Sequence, residues 1–165
     1  MSLSDRRKFL SLLPAGLLAG CGFTPAYAPA GPGQKLHNSI LADEPKDEFG
    51  FDLVERLEER LGPGMNARYA LSYEIGLKSI GVAITTENAI TRYNLNGRID
   101  WALRDIATEA PITSGKVENF TSYSATGSTV AGLAAQDDAQ RRLMRILADQ
   151  IVTQLLATSG QWAEE

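Results

Sequence analysis

The fold is decided between residues 69 and 78, where the sequence reads Tyr69-Ala70-Leu71-Ser72-Tyr73-Glu74-Ile75-Gly76-Leu77-Lys78. Large apolar residues occupy every second position, and small or charged residues lie between them. This period of two is typical of a β-strand with one buried face, because successive side chains of a strand point to opposite sides. From Ile80 onward the apolar positions shift by one residue, so we predict a β-bulge within residues 79–81.

The same alternation resumes after a polar turn at residues 85–88. Its apolar members are Tyr93, Leu95, Ile99, Trp101 and Leu103. The two long segments therefore predict an antiparallel pair of strands. A further strand is predicted over residues 115–125, which are rich in β-favouring residues, and a weaker alternation predicts a first strand over residues 35–42.

Two segments show the period of a helix instead. Between residues 48 and 61 the apolar residues recur every three or four positions, Asp47 is a candidate N-cap, and Gly62-Pro63-Gly64 ends the segment. The same spacing from Ala139 to Leu155 predicts a long terminal helix over residues 133–157. The predicted order β-α-β-β-β-α indicates an α+β fold: a two-layer sandwich in which two helices cover one face of an antiparallel sheet of about four strands.

This architecture leaves the second face of the sheet uncovered. Four basic residues alternate into that face and make it locally basic: Lys78, Arg92, Arg98 and Arg104. The chain as a whole carries a formal net charge of −4. An acidic balance argues against nonspecific binding to nucleic acid, which depends on dense Lys and Arg.

The N-terminus resembles an export signal. Arg6-Arg7-Lys8 precedes a short apolar core, and Leu18-Ala19-Gly20 leads directly into Cys21, the only cysteine. This is the pattern of a bacterial lipoprotein signal, so residues 1–20 are expected to be removed and Cys21 to be lipidated. The paired arginines also fit a twin-arginine signal, so both export routes stay open. The apolar core is too short and too interrupted by Pro14 to span a membrane permanently.

The segment after the cysteine separates anchor from domain. Residues 21–34 are rich in Pro, Gly and Ala and predict a flexible tether, followed by a single domain over residues 35–158 and a C-terminal tail over residues 159–165. Since Gly22 rather than Asp follows the cysteine, the expected destination is the outer membrane, on its periplasmic side.

Several short motifs resemble the lipopolysaccharide-assembly lipoprotein family LptE, in its alphaproteobacterial form. They are Cys21-Gly22-Phe23-Thr24-Pro25-Ala26-Tyr27 at the anchor, Leu53-Val54-Glu55-Arg56-Leu57 in the first helix, Thr91-Arg92-Tyr93-Asn94-Leu95 opening a strand, and Ser122-Tyr123 before the final helix. The resemblance implies a non-enzymatic lipoprotein that plugs the LptD β-barrel and helps deliver lipopolysaccharide to the outer leaflet. Under it, the basic sheet face contacts lipopolysaccharide phosphates or the barrel. The alternative is an ordinary solvated face, in which Glu74 and Asp100 pair with the cations across strands.

The residues offer little for catalysis. His37 is the only histidine and adjoins the tether, paired carboxylates fall on predicted helix surfaces or at the terminus, and nucleotide-binding glycine motifs are absent. We therefore expect no enzyme activity, no metal and no cofactor besides the covalent lipid on Cys21. A second function stays open: an auxiliary periplasmic lipoprotein subunit of another envelope transporter complex.

Overall fold

The computed structural model describes residues 31–163, to which every structural statement refers. The helices are α1 (Pro32–Leu36), α2 (Glu48–Leu61) and α3 (Thr129–Thr158), followed by one 3-10 turn (Ser159–Gln161). The strands are β1 (Ile40–Ala42), β2 (Tyr69–Ile84), β3 (Ile90–Asp105) and β4 (Pro111–Ser124). The predicted α+β class is confirmed, with the two long helices packed on one four-stranded sheet.

The sheet is mixed rather than purely antiparallel. Its order is β1-β2-β3-β4, and β2, β3 and β4 form the predicted antiparallel pairs. The short strand β1 runs parallel to β2, with Ile40 opposite Tyr69. A parallel neighbour follows because helix α2 returns the chain to the starting end of the sheet before β2 begins.

The first predicted strand was wrong over most of its length. Residues 32–36 form helix α1, and only residues 40–42 pair with β2. Pro32 stands in the first turn of α1, where its missing N–H is tolerated and its fixed φ suits a helix. Asn38 then turns the chain with φ 60°, and its N–H donates to the Leu61 carbonyl at 2.6 Å.

Helix α2 has the predicted bounds. Asp47 caps it by accepting a hydrogen bond from the Gly50 N–H at 2.8 Å, and it ends at Gly62, whose φ of 85° favours glycine. Helix α3 begins four residues earlier than predicted, because Ser128 caps it through the Ala131 N–H. Strand β4 also begins earlier, at Pro111, since the β3–β4 turn is tight and closes around Asp105.

The core lies between the sheet and helix α3. The odd-numbered residues of β3, of β2 up to Gly81 and of β4 from Thr113 onward face the helices, and Leu71, Ile99 and Leu103 are almost fully buried there. Gly97 lets α3 approach closely, because a Cβ at this position would lie 2.8 Å from Cδ1 of Leu147. Helix α3 therefore packs directly on the backbone of the central strand.

An ion-pair cluster joins the two long helices. Asp149 of α3 accepts hydrogen bonds from both Arg56 (3.1 and 3.0 Å) and Arg60 (2.8 Å) of α2. The bond to Asp149 raises the pKa of Arg56 above its usual value. Because the side chains stay partly exposed, we attribute to the cluster mainly the orientation of α2 against α3.

The residues after α3, which were predicted to form a C-terminal tail, pack against the rest of the domain up to residue 163. Ser159 is buried, and the Trp162 ring meets the Tyr69 ring edge to face, with 5.2 Å between centroids. The chain also enters the domain at this end of the sheet, because α1 packs near the end of α3.

The β2–β3 turn at residues 85–89 lies at the opposite end of the sheet, which we call the distal end. A sixteen-residue strand separates the two by about 50 Å.

Candidate functional site

The uncovered face of the sheet carries the predicted basic residues. The even-numbered residues of β3, of β4 from Ser114 onward, and of β2 up to Ile80 point away from the helices. Lys78, Arg92, Arg98 and Arg104 all lie on this outer face and all are exposed. The structure thus places the four residues on one surface, as the alternation predicts.

Two of these four cations are neutralised by neighbours. Arg98 donates two hydrogen bonds of 2.8 Å to Asp100, and Arg104 lies 3.3 Å from a carboxylate oxygen of Glu109. The bond to Asp100 raises the pKa of Arg98, and the same bond lowers the pKa of Asp100. The pairing between Arg98 and Asp100 runs along one strand rather than across strands, and Glu74 lies directly opposite Asp100.

The other two cations carry uncompensated charge. Within residues 31–163, neither Lys78 nor Arg92 forms an ion pair. Lys78 lies beside Asn96 of β3, and Arg92 lies between Ala83 of β2 and Ser124 of β4. The charges of Arg98 and Arg104 on the outer face are therefore balanced by carboxylates. The part of the face nearer the distal end carries the uncompensated positive charges of Lys78 and Arg92.

Two exposed apolar side chains lie on the same part of the outer face as the free cations. Ile80 is 41% exposed and Phe120 is 56% exposed, and both lie on the outer face. We call Lys78, Ile80, Arg92 and Phe120 the distal patch. They occupy three successive rows of paired residues across the sheet. Lys78 and Phe120 lie in the first row, Ile80 lies in the second, and Arg92 lies in the third, opposite Ala83 of β2. Because free cations and exposed apolar side chains share this part of the face, the distal patch is a candidate surface for a partner or ligand.

The predicted bulge is wrong in position, and the difference explains the patch. The register of β2 against β3 is regular through residues 79–81 and breaks only between Gly81 and Ile84. The apolar shift at Ile80 therefore does not restore a buried face. It turns an isoleucine to the outer face, and Val82 and Ile84 beyond it are also exposed.

A shallow depression of about 610 Å³ adjoins the patch. The residues that line it include Gly76, Lys78, Asn96, Arg98, Glu118 and Phe120. A Cβ at Gly76 would meet only the Arg98 carbonyl oxygen, at 3.7 Å, so the depression owes its depth partly to the absent side chain. The combination of free cations, an exposed ring and an open hollow suits a large amphipathic anion better than a small substrate.

The sequence indicated the cations but missed the apolar half of this surface. A bulge at residues 79–81 would return Ile80 to the buried face, and the alternation in β4 gives Phe120 no role. The signal that could have identified them is the phase change itself, since an apolar residue in a polar phase is either buried after a bulge or exposed. Only the pairing register distinguishes these outcomes.

Neither a candidate metal site nor a helix that could span a membrane is found among the residues that the structure describes. No group of three His, Cys, Asp or Glu side chains there could hold a metal ion. None of the helices between residues 31 and 163 is long and apolar enough to cross a membrane. His37 is exposed in the turn after α1, away from the distal patch. Cys21 and the predicted signal lie outside the described residues.

The sequence matches a known protein family over most of the described domain. Residues 34–155 match the family model described as LptE: Lipopolysaccharide-assembly. No significant match to a curated protein was found.

Solved lipoprotein structures share the fold. A putative lipoprotein from Caulobacter crescentus aligns with a TM-score of 0.69 at 23% identity, covering 80% of this chain and 98% of that one. The rare lipoprotein B from Shewanella oneidensis aligns with a TM-score of 0.56 at 16% identity, covering 76% and 98%. A minor lipoprotein from Acinetobacter baumannii gives 0.53 at 22% identity, covering 73% and 90%.

Proposed function

This chain belongs to the LptE family of lipopolysaccharide assembly, and we propose that it does its work as the lipid-anchored partner and plug of an LptD-like β-barrel. Members of the family are non-enzymatic lipoproteins, which confirms the prediction that the protein is not an enzyme. The observation that carries the proposal is the family match itself, because it spans nearly the whole packed domain, from α1 into α3.

The shape of the domain supports a barrel as the partner. The sheet is about 50 Å long, and its outer face is lined by charged and amide side chains along most of that length. The lumen of a large outer-membrane barrel is polar and hydrated, so the polar part of this face, outside the distal patch, could lie against it without desolvating an apolar surface. The proposal places the protein on the periplasmic side of the outer membrane, held by lipid on Cys21.

The distal patch supports contact with lipopolysaccharide. The phosphates of this lipid would meet the free cations Lys78 and Arg92, because a charge-assisted contact is strongest where no internal carboxylate competes. Its acyl chains would cover Ile80 and Phe120. Of the four basic residues on the outer face, we therefore assign binding to Lys78 and Arg92, while Arg98 and Arg104 remain engaged with Asp100 and Glu109.

The double substitution Lys78→Glu with Arg92→Glu tests this assignment. We expect lipopolysaccharide affinity to fall by about tenfold or more, because two attractive contacts become repulsive. Binding would be measured with fluorescently labelled lipopolysaccharide and the unlipidated mature chain, at low and at moderate salt. The matched control is Arg104→Glu, which removes an exposed cation that is already paired. Equal affinities for the wild-type and doubly substituted proteins would contradict the assignment.

Co-purification tests the barrel partnership. We expect the tagged, full-length lipoprotein, extracted in mild detergent, to bring down one large outer-membrane barrel in near-stoichiometric amount. Recovery of an inner-membrane transporter instead would favour the alternative function, an auxiliary lipoprotein of another envelope complex. As a control for detergent carry-over, an unrelated outer-membrane lipoprotein with the same tag should recover no barrel.

A further inference from the structure

One edge of the sheet is left open over most of its length. Strand β1 pairs with β2 only through residues 40–42, and the Asp43 N–H adds a last hydrogen bond to the Leu71 carbonyl at 2.9 Å. Strand β2 continues to Ile84 without a neighbour on that side among residues 31–163. A long unpaired edge is a template for another strand.

The part of this edge that another strand could reach begins after Tyr73. Burial raises the pKa of the Tyr73 phenol, and the nearby carboxylates of Asp43 and Asp47 raise it further, so the segment that follows β1 passes close to this residue. Because Leu71 directs its carbonyl towards β1, the odd-numbered residues beyond it direct their N–H and C=O groups to the same side. The open edge, as we call residues 75–79, therefore directs the backbone groups of its odd-numbered members outward.

The opposite edge of the sheet is partly protected, which makes the open edge distinctive. On β4, the Gln154 side chain of α3 donates to the Lys116 carbonyl at 3.2 Å. The Phe120 N–H is taken by the Asn119 side chain at 2.8 Å. No side chain in the described part of the chain bonds to the backbone of the open edge in this way.

The apolar core is also incompletely covered beside the open edge. Helix α3 packs on β3 and β4, and α2 packs on α3 and β1. Ile75 and Leu77 face the helix side and pack against the core, but both remain only half-buried. One added strand with apolar residues at alternate positions would cover these side chains and satisfy the outward backbone groups at the same time.

The charges around the open edge restrict the sequence of the strand that fits. Asp43, Asp47 and Glu74 make the end next to β1 acidic. Glu74 is exposed on the outer face and forms no ion pair among residues 31–163. Opposite charges on facing strands stabilise the pair, so the strand that fits carries a basic side chain opposite Glu74.

Two segments of this protein fail these requirements. Residues 21–30 contain no charged side chain, and Pro25 and Pro29 cannot donate to a ladder. A second copy, paired two-fold and antiparallel over the open edge, would bring its residues 81–83 against Asp43 and the end of β1. A single plug in one barrel also leaves no place for a second copy. The occupant therefore comes from a different polypeptide.

We propose that the open edge binds an extended segment of the barrel partner, with apolar residues towards the helix side and a basic residue opposite Glu74. The inference rests on the proposed function, which places a barrel around this edge. Strands of a closed barrel wall are already paired on both sides, so the segment belongs to a loop or a chain end that enters the lumen. Main-chain hydrogen bonds to Ile75, Leu77 and Ser79 provide the affinity, and the alternate side chains provide the specificity.

Amide hydrogen exchange, resolved to single residues, tests the pairing in the complex recovered by co-purification. The reference is the full-length lipoprotein, purified in the same detergent from cells depleted of the barrel. We expect exchange at Ile75, Leu77 and Ser79 to slow by about tenfold or more in the complex, because each amide becomes hydrogen-bonded. The outward amides of Glu118 and Ser122 on β4 are the matched control and should change much less, since the lumen around an unpaired edge is hydrated.

A charge reversal tests the predicted basic residue of the partner. In the complex, Glu74→Lys should speed the exchange of the open-edge amides by about tenfold, because a base would then face a base. Glu118→Lys is the matched control, since it reverses an exposed acid on the outer face of β4, and it should leave their exchange unchanged. Equal effects of the two substitutions would overturn the predicted contact at Glu74.

A photoreactive benzoylphenylalanine in place of Ser79 identifies the occupant. We expect it to cross-link to the co-purified barrel, outside the strands of its wall. The inference is overturned, with the proposed function intact, if the barrel is recovered but the open-edge amides exchange as in the free chain, if both edges are protected equally, or if the cross-link reaches only wall strands or another protein. Protection already present without the barrel would overturn it in favour of residues 21–30 or a second copy. Recovery of no barrel would overturn the proposed function as well.

Discussion

Replacing Cys21 by Ser is expected to abolish lipid attachment and to release the protein from the membrane fraction. Burial of acyl chains contributes about 0.8 kcal/mol per methylene, and a lipoprotein with more than one chain is stably anchored. No helix among residues 31–163 could replace that anchor. Mass spectrometry of the mature protein would show lipid on Cys21 in the wild type and none in the variant.

Partner binding could retain an unlipidated protein, so fractionation should also be done in cells depleted of the barrel. Thr24→Ala is the matched control, because it changes the same segment without removing the thiol. A wild-type protein whose mature N-terminus is neither Cys21 nor lipidated would contradict the prediction.

Leu147→Ala is expected to lower the free energy of unfolding by about 2–5 kcal/mol, the usual cost of truncating a fully buried leucine. Leu147 is fully buried on α3 and lies against the backbone of Gly97 in the central strand. Since β3 has no side chain at that position, little can move into the space that Leu147 leaves. Urea unfolding followed by circular dichroism would measure the loss.

The adjacent residue provides the control. Ile146 is 37% exposed, so Ile146→Ala should cost less than about 1 kcal/mol. Gly97→Ala should also destabilise, because its Cβ would lie 2.8 Å from Leu147 and 2.9 Å from Leu143. In the double variant the new methyl group partly fills the space, so the two effects should sum to more than the measured loss. Strict additivity would show that the two residues are not in contact.

Periodicity predicted the elements that have one clearly buried face. Helix α2 has the predicted bounds, and the β2–β3 pair follows the predicted alternation from Tyr69 to Lys78. It failed where the elements are short. Residues 32–36 became α1, and β1 has only three residues, too few for a period of two to be read. Strand β1 is held in place by its neighbour β2 rather than by its own pattern.

The candidate site, too, could be predicted from the sequence only in part. The alternation of β2 and β3 was sufficient to place all four cations on one face, because side-chain direction follows from strand geometry. Which of them are free could not be read from it. Arg104 forms an ion pair with Glu109 of the β3–β4 turn, and Arg98 forms hydrogen bonds with Asp100, two positions along its own strand.

The sequence by itself determined the fold class, the family and the face to which most residues of the long strands point, since these depend on local pattern and chemistry. Only the tertiary structure decided that β1 is parallel and short, that Ile80 is exposed rather than buried, and that one edge of β2 is open. These depend on which strands lie side by side and for how many residues. That is a property of the assembled sheet, and no period within one segment records it.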